Sequence, residues 1–340
     1  MNNKVIFSRR YLAVVLAAVA AVVAFFAMKP APKAFHKAQG EVWTTEYHIT
    51  YEASADLSDS IQAVLKRIDE SASAFNKASL VSKINQNTTD KADDIFCRMY
   101  QTATEVNKAT DGAYDPTVMP LVNAWGFGYK SGQLPTKAQI DSLLTFVGIT
   151  KTHLDGGIIK KDDQRTQFDF SSIAKGLACD EVGRMLARNG ASNFMVEIGG
   201  EVAVKGCNEQ GKPWAISIDM PTDNPADTQH ASALVVALSK GGIATSGNYR
   251  RFKEVEGKKV SHIVNPKTGF SEESSLLSVT VVAPDCMTAD AWATACMAMG
   301  TERTQSMFEK RSDLAVMTIS TDAEGNFIAW SNKAFANLLP

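Results

Sequence analysis

An aspartate and a threonine one helical turn apart are the first residues here whose type and spacing suggest chemistry. Asp290 and Thr294 lie in the segment ADAWAT, residues 289–294, and positions i and i+4 of a helix face the same side. A carboxylate among apolar neighbours needs a partner. A hard cation, which prefers oxygen ligands, would supply one. The alternative is an aspartate that caps its own helix.

A second segment, DFSSIAKG at residues 169–176, has the composition of an anion site. The residues FDF, 168–170, predict a strand that leads into a helix beginning near Ser172. Free N–H groups and the dipole at a helix start attract phosphate, and Lys175 adds a point charge. The alternative is structural: Ser172 is then the N-cap, Lys175 is solvated, and the glycine allows close packing.

Two further stretches combine glycine, hydroxyl groups and a histidine. Residues 241–251 read GGIATSGNYRR, and residues 261–269 read SHIVNPKTG. Backbone rich in glycine can approach a flat or phosphorylated ligand closely, although a polar loop between strands has the same composition. A lone histidine is more often structural, but the position of His262 between two polar loops favours a functional role.

One apparent phosphate-binding loop is a decoy. Residues 206–212 fit the pattern G-x-x-x-x-G-K, but Pro213 follows where a Ser or Thr would hold magnesium. Proline also lacks the N–H that such a loop uses. We therefore predict a hairpin turn between Val202 and Trp214. The G-x-S-x-G motif of serine hydrolases is absent from the sequence.

The elements that must position these residues mix helices and strands. Strands occur in groups joined by short turns rather than in regular βαβ alternation, which predicts an α+β fold of mixed or antiparallel sheet. Helical spacing covers residues 57–74, 93–109 and 287–299. The predicted strands are Phe194–Ile198, Glu201–Val204, Trp214–Ile218, Leu234–Leu238, Ser278–Val282 and Leu314–Ile319.

Composition excludes several classes of protein. The 340 residues carry 35 Lys and Arg against 37 Asp and Glu, a net charge of −2. A nucleic-acid binder usually shows a basic excess, so no nucleic-acid partner is expected. The five cysteines form no C-x-x-C pair and are predicted to be mostly buried free thiols. The length suits one large domain or two intertwined lobes.

The N-terminus predicts a membrane segment. Residues 11–28 are uncharged and follow Lys4, Arg9 and Arg10. Eighteen helical residues reach about 27 Å, enough for a bilayer core. We favour an uncleaved anchor over a cleaved signal peptide at residues 1–28, then a tether at 29–38 and a catalytic body at 39–340. This organisation predicts an inner-membrane protein whose body lies on the periplasmic side.

The motifs, taken together and in order, resemble the ApbE family of FAD:protein FMN transferases over about residues 39–335. The resemblance implies an α+β enzyme of two intertwined lobes that binds FAD and Mg²⁺ in a cleft. Such enzymes move FMN from FAD to a Thr or Ser hydroxyl of a flavoprotein and release AMP. The motifs that carry it are SAFNKASLVSKIN (73–85), DGAYDPTV (111–118), WGFG (125–128), DFSSIAKG, EIGGE (197–201), GGIATSGNYRR, SHIVNPKTG and ADAWAT.

The resemblance also implies roles for individual residues. The Ala174 carbonyl, Asp290 and Thr294 correspond to the metal ligands, and His262 to the residue that helps activate the acceptor hydroxyl. The family usually has Met-Gly-Thr where this chain has Trp43-Thr44-Thr45, so Trp43 is expected to stack at the adenine side. The remaining positions expected to bind FAD are Phe75, Asn76, Trp125, Gly126, Phe127, Ser171, Lys175, Leu177 and Val264.

The family's typical acceptors are subunits of membrane redox complexes of the sodium-pumping NADH:quinone reductase (Nqr) and Rnf types. Two other functions fit the same motifs. One is a Mg²⁺-dependent FAD pyrophosphatase, in which water replaces the acceptor and free FMN and AMP form. The other is a non-catalytic FAD-binding protein.

Overall fold

An eight-stranded antiparallel sheet is the frame of the protein. The computed structural model describes residues 33–128, 134–221, 232–247, 252–255, 258–261, 263–270 and 275–339. The strands are β1 (Ala34–Val42), β2 (Thr45–Ala53), β3 (Thr152–Asp155), β4 (Ile158–Lys161), β5 (Phe194–Ile198), β6 (Glu201–Lys205), β7 (Trp214–Asp219), β8 (Ser232–Leu238), β9 (Lys240–Gly247), β10 (Phe252–Val255), β11 (Lys258–Ser261), β12 (Leu276–Ala283), β13 (Ala315–Thr321) and β14 (Phe327–Ser331).

The large sheet has the strand order β1-β2-β5-β6-β9-β12-β13-β14, and every neighbouring pair is antiparallel. Three two-stranded hairpins, β3-β4, β7-β8 and β10-β11, accompany it. The helices are α1 (Ser58–Ala72), α2 (Leu80–Asn85), α3 (Asp94–Ala109), α4 (Met119–Ala124), α5 (Lys137–Leu144), α6 (Ala174–Arg188), α7 (Cys286–Met299), α8 (Thr301–Phe308) and α9 (Lys333–Ala336).

Both faces of the large sheet are covered by apolar side chains. Helices α1, α3, α6 and α7 contribute to the main core on one face, where Ile61, Phe96 and Leu177 are fully buried. The hairpin β7-β8 and helix α9 close the other face, through Trp214, Val236 and Phe335. Alternating residues of a strand point to opposite faces, so β6 sends Val202 and Val204 to this second core and Ala203 to the first.

A third, smaller cluster holds the helical segment around α4 and α5. Leu121, Ile140, Val147 and Val264 are buried together, and Trp125 packs against them. The cluster therefore joins two distant parts of the sequence, the segment that contains WGFG and the segment that follows β11.

The predicted α+β class is confirmed, and the large sheet is antiparallel rather than mixed. The predicted strand Phe194–Ile198 matches β5, and the other predicted strands lie within two residues of observed ones. Helices α1, α3 and α7 match their predicted ranges within two residues.

Three predictions of local structure were wrong. Residues 168–170 form no strand, and only Gln167 makes an isolated bridge there. Residues 206–213 do not close a hairpin, because β6 and β7 belong to different sheets; Asn208 Oδ1 accepts the N–H groups of Gln210 and Lys212 and fixes the turn. Residues 34–38, assigned to the tether, begin β1, which pairs with β2 along its whole length.

Residues 1–28, the predicted anchor or signal segment, lie outside the described residues. No helix within the described ranges is long and apolar enough to span a bilayer. The five cysteines are free, as predicted; Cys179, Cys286 and Cys296 are buried.

Candidate active site

Turns that carry the sequence motifs lie at one end of the large sheet. Trp43-Thr44 joins β1 to β2, and Gly199-Gly200 joins β5 to β6, each as a two-residue turn. All four residues have positive φ, as type I′ hairpin turns require. Strand β9 ends at Gly247 on the same side, because it runs antiparallel to β6. The N-terminus of α6 lies at this same end of the sheet.

A buried ion pair lies at the start of α6. Lys175 Nζ is 2.6 Å from Glu201 Oε2. Glu201 is 3% exposed, whereas the Lys175 side chain keeps 34% of its surface. A Cβ placed on Gly199 would lie 3.4 Å from Lys175 Cδ, so the lysine stem runs along the Gly199-Gly200 turn. Lys175 is therefore held by a partner and is not simply solvated.

Asp290, on α7, lies next to the same start of α6. Together with Lys175 and Glu201 it forms a cluster of ionisable groups. It is 3% exposed, and its Oδ2 accepts the backbone N–H of Gly176 at 3.0 Å. A Cβ on Gly176 would lie 2.3 Å from the Cys286 carbonyl oxygen, so only glycine allows the two helices to approach this closely. The N-cap of α7 is Asp285, whose side chain accepts the Thr288 N–H. Asp290 therefore does not cap its own helix, and that alternative is wrong.

Hydroxyl groups lie beside this carboxylate. Thr294 follows Asp290 by one turn, and its Oγ1 is 3.2 Å from Ser246 Oγ on β9. Ala174 is the first residue of α6. The candidate donors, the Asp290 carboxylate, the Thr294 hydroxyl and the Ala174 carbonyl, are all oxygens, the type that a hard divalent cation prefers. No group of three or more His, Cys, Asp or Glu side chains that could hold a metal occurs within the described ranges.

The two serines before α6 are engaged with neighbouring residues. The Ser171 N–H donates to Asp169 Oδ1 at 2.9 Å. Ser172 Oγ is 3.0 Å from the buried Tyr114 hydroxyl. Helix α6 begins at Ala174, and its N-cap position, Ile173, makes no side-chain capping bond. The alternative in which Ser172 is the N-cap is therefore wrong, and Ser172 instead connects the loop before α4 to the site.

The residues expected to contact the flavin fall into two groups. Phe75 is 57% exposed, which is unusual for a large apolar side chain. The next residue, Asn76, is fixed: its Nδ2 donates to Asp69 Oδ2 at 2.6 Å, and its Oδ1 accepts the Ala78 N–H at 3.0 Å. A rigid turn therefore holds the Phe75 ring in an exposed position.

The second group surrounds Trp125. Its Nε1 donates to the Gly269 carbonyl at 2.8 Å, and its ring meets Phe270 edge-on with centroids 5.7 Å apart. Gly126 has φ +73°, and the chain turns here so that the Phe127 N–H donates to the Val122 carbonyl. Val264 is buried in the same cluster as Trp125. These residues form a unit distinct from the core beneath α6.

Trp43 and Leu177 occupy different environments. Trp43 packs partly against the main core, and its Nε1 is buried with no hydrogen-bond partner in the described part of the chain. Leu177 is fully buried in that core, so its side chain packs under the site. His262, the predicted base, lies outside the described residues, immediately after β11.

The ionisable groups of the cluster perturb one another. Burial raises the pKa of Glu201 to about 8, although Lys175 opposes the shift. Burial also raises the pKa of Asp290, which Lys175 and the Gly176 N–H lower. Burial lowers the pKa of Lys175, but Glu201 and Asp290 outweigh it, so the pKa of Lys175 is raised. Buried ionisable groups that perturb one another in this way are typical of functional sites.

Sequence reasoning assigned no role to Glu201 or Tyr114, although both lie in the motifs that it marked. Glu201 opens the strand EVAVK directly after a Gly-Gly turn. A charged residue at the buried start of such a strand is a signal that a charged partner lies opposite.

Comparison with known proteins gives consistent results. The sequence profile of the ApbE family matches residues 43–318. FAD:protein FMN transferase from Haemophilus influenzae is 36% identical over 318 residues, 88% of this chain and 90% of that protein. The protein of that name from Escherichia coli (strain K12) is 33% identical over 315 residues, 89% of this chain and 88% of its own.

Solved structures agree with the sequence relatives. Flavin transferase ApbE from Vibrio cholerae superposes with a TM-score of 0.81 at 33% identity, covering 91% of this chain and all of that one. The apo form of the flavinyl transferase ApbE from Pseudomonas stutzeri gives a TM-score of 0.80 at 29% identity, covering 92% of this chain and 99% of that one.

Proposed function

The chain belongs to the ApbE family and is a transferase, and we propose that it moves FMN from FAD to a Ser or Thr hydroxyl of an acceptor flavoprotein. The acceptor oxygen forms a bond to the phosphorus of the FMN half. The bond from that phosphorus to the bridging oxygen breaks, and AMP leaves with that oxygen. The hydroxyl proton passes to a base.

One observation carries the proposal: an ammonium and a buried carboxylate from different helices meet at the start of α6. Lys175 supplies positive charge in the first turn of α6, where the positive end of the helix dipole also attracts phosphate. Asp290 reaches the same place and hydrogen-bonds Gly176 in the first turn of that helix. A pyrophosphate and its counter-cation would therefore find complementary groups within a few ångströms.

The oxygen donors fit a divalent cation such as Mg²⁺. Asp290 is buried and accepts a single hydrogen bond from the described residues, so its carboxylate keeps lone pairs for a ligand. Thr294 and the Ala174 carbonyl would complete the set from the protein. When bound, the cation would neutralise charge that develops on the pyrophosphate during cleavage.

We assign acceptor activation to His262 and flavin contacts to the aromatic residues. A hydroxyl is a weak nucleophile until a base takes its proton, and imidazole performs this step near neutral pH. The resemblance to the family supports His262 in this role. Phe75, Trp125 and Phe127 have faces on which the isoalloxazine ring can stack.

The same resemblance supports a location and a class of partner. The uncharged run at residues 11–28 supports an N-terminal membrane anchor, with the enzyme on the periplasmic side of the inner membrane. Acceptors would then be flavoprotein subunits of membrane redox complexes, of the Nqr or Rnf type.

Incubation with FAD, Mg²⁺ and a candidate acceptor, followed by intact-mass measurement, tests the proposal. The acceptor should gain one FMN, and AMP should appear. The control is the same acceptor with its target hydroxyl residue changed to Ala. Free FMN produced at the same rate with and without acceptor would instead indicate the pyrophosphatase. Unchanged FAD in both reactions would leave only a binding protein.

Two treatments test the assigned roles. EDTA should abolish transfer, and added Mg²⁺ should restore it. His262→Ala should bind FAD normally but transfer FMN about 10²–10⁴-fold more slowly. Loss of FAD binding by this variant would place His262 in the pocket wall, and an unchanged rate would remove it from the mechanism.

A further inference from the structure

Glu201 decides the net charge of the candidate site, here called the pocket, where Lys175, Glu201 and Asp290 lie together. Two buried carboxylates, Glu201 and Asp290, face one ammonium, that of Lys175. Lys175 Nζ lies 2.6 Å from Glu201 Oε2. When Glu201 is ionised, its charge neutralises the ammonium before any ligand arrives, and the charge of Asp290 is left in excess.

The backbone fixes Glu201 in this position. It is the first residue of β6, a strand paired on both sides by β5 and β9. Its carbonyl accepts the Cys179 thiol at 3.2 Å, which ties it to α6. The turn Gly199-Gly200 precedes it. The backbone of Glu201 is therefore held in place, and its buried carboxylate lies beside Lys175.

This arrangement has opposite consequences for anions and cations. A pyrophosphate approaching the metal-free pocket meets a lysine whose charge is compensated and an aspartate that repels it. A divalent cation meets an excess of negative charge. The protein therefore disfavours FAD alone and favours FAD together with a cation.

We propose that Glu201 makes FAD binding depend on the divalent cation. Glu201 acts through Lys175 and is a positioning residue for the flavin transfer proposed above, on which this inference rests. Binding of the two ligands is then thermodynamically coupled, and the coupling is reciprocal. Removing the negative charge of Glu201 should free the ammonium of Lys175 for the pyrophosphate and uncouple FAD from the metal.

The test is the affinity of the full chain for FAD, measured by equilibrium dialysis in EDTA and in millimolar Mg²⁺. The measurement is made at about pH 9, where the Glu201 carboxylate is ionised, because burial raises its pKa to about 8. Wild-type protein should bind FAD at least about 10-fold more tightly with Mg²⁺. In Glu201→Gln this ratio should fall below about 3-fold, chiefly because binding in EDTA tightens.

Three variants serve as controls. Glu201→Asp keeps the charge and should keep a ratio close to that of the wild type. Glu197→Gln changes another glutamate of the same hairpin, one that hydrogen-bonds His48 and the Gly200 N–H. This variant should leave the ratio unchanged. The double variant Lys175→Met, Glu201→Gln again leaves Asp290 in excess, so its metal dependence should return.

The outcomes separate this inference from the proposed function. If Glu201→Gln weakens FAD binding equally in EDTA and in Mg²⁺, Glu201 has only a structural role and the inference is wrong. If the wild-type protein binds FAD equally with and without Mg²⁺, the inference is wrong but flavin transfer stands. If it binds no FAD under either condition, both are overturned.

Discussion

Two aspartates on facing helices, the half-buried Asp180 of α6 and the buried Asp290 of α7, have different surroundings. Asp180 accepts the N–H groups of Cys286 and Met287, at 3.0 and 2.9 Å, and so holds the start of α7. Asp290 accepts one N–H, that of Gly176, within the described residues. Burial raises the pKa of both groups. A raised pKa alone therefore does not separate a structural carboxylate from one available to a ligand.

Asp115 extends the comparison. Its oxygens accept the N–H and hydroxyl of Thr117, the Ile149 N–H, and the Asn107 amide. All its lone pairs are directed at the protein, so it has a purely structural role. These carboxylates differ in how many hydrogen-bond donors their oxygens already accept. Each aspartate is therefore expected to respond differently to substitution.

The largest effect should come from Asp290→Asn. The amide oxygen can still accept the Gly176 N–H, so the helices should stay packed and thermal unfolding should change little. The charge that faces the pocket is lost, and FMN transfer should fall by about 10²–10³-fold. Rates from intact-mass assays and a melting curve measure the two quantities. Near wild-type transfer would reduce Asp290 to a packing residue and remove the metal site.

Asp115→Ala should show the reverse pattern, in which stability falls most. Three donors that Asp115 now satisfies, from Thr117 and Ile149, would be left buried without partners. The free energy of unfolding should fall by about 3 kcal/mol, measured by urea denaturation. Asp115→Asn keeps one acceptor oxygen and should lose less. Equal stability of Asp115→Ala and the wild type would contradict the structural role.

Asp180→Asn should alter how stability depends on pH. Burial raises the pKa of Asp180 from 3.8 to about 6, although the Cys286 and Met287 N–H groups lower it. The folded state thus holds this proton more tightly than the unfolded state, and stability from this group declines as pH rises from about 4 to 6.

The quantity to measure is the difference in unfolding free energy between wild type and Asp180→Asn across that range. The wild type should lose on the order of 2 kcal/mol relative to the variant as pH rises. A difference that stays constant with pH would show that folding does not raise the pKa of Asp180.

The smallest effect should come from an exposed carboxylate. Asp111 pairs with Lys267 at 2.8 Å, but its side chain is 85% exposed. Surface ion pairs of this kind add little to stability. Asp111 also has φ +49°, which asparagine tolerates. Asp111→Asn should therefore leave the melting temperature and transfer rate unchanged. A clear loss of transfer would extend the functional surface to this loop.

Much of the fold could be predicted because strand and helix periodicity is local. Strand β5 and helix α3 were predicted within one residue for that reason. The segment 168–170 was mispredicted because its backbone hydrogen-bonds a side chain that is distant in sequence instead of a neighbouring strand. Asn85 Oδ1 accepts the Phe168 N–H at 2.7 Å, and Asn85 Nδ2 donates to its carbonyl at 2.8 Å. No local pattern reveals that an asparagine 83 residues away satisfies the backbone.

The site was partly predictable. Sequence reasoning noted that Asp290 needs a partner, and the structure supplies one in Gly176. It could not find the ion pair of Lys175 with Glu201, because these residues come from a helix and a strand 26 positions apart. Which residues meet across an antiparallel sheet depends on strand order, and that order is set by the whole core rather than by any motif.

The direction of β1 determines how the molecule sits on whatever holds its N-terminus. The nine residues of β1, Ala34–Val42, lead to the Trp43-Thr44 turn and span about 30 Å of extended chain. Lys33 Nζ donates to the Gly190 carbonyl, just past the C-terminal end of α6, the helix whose opposite end carries Lys175. The chain therefore enters the described structure at Lys33, at the end of the sheet opposite the candidate site, so a body held through this point presents the site away from its attachment.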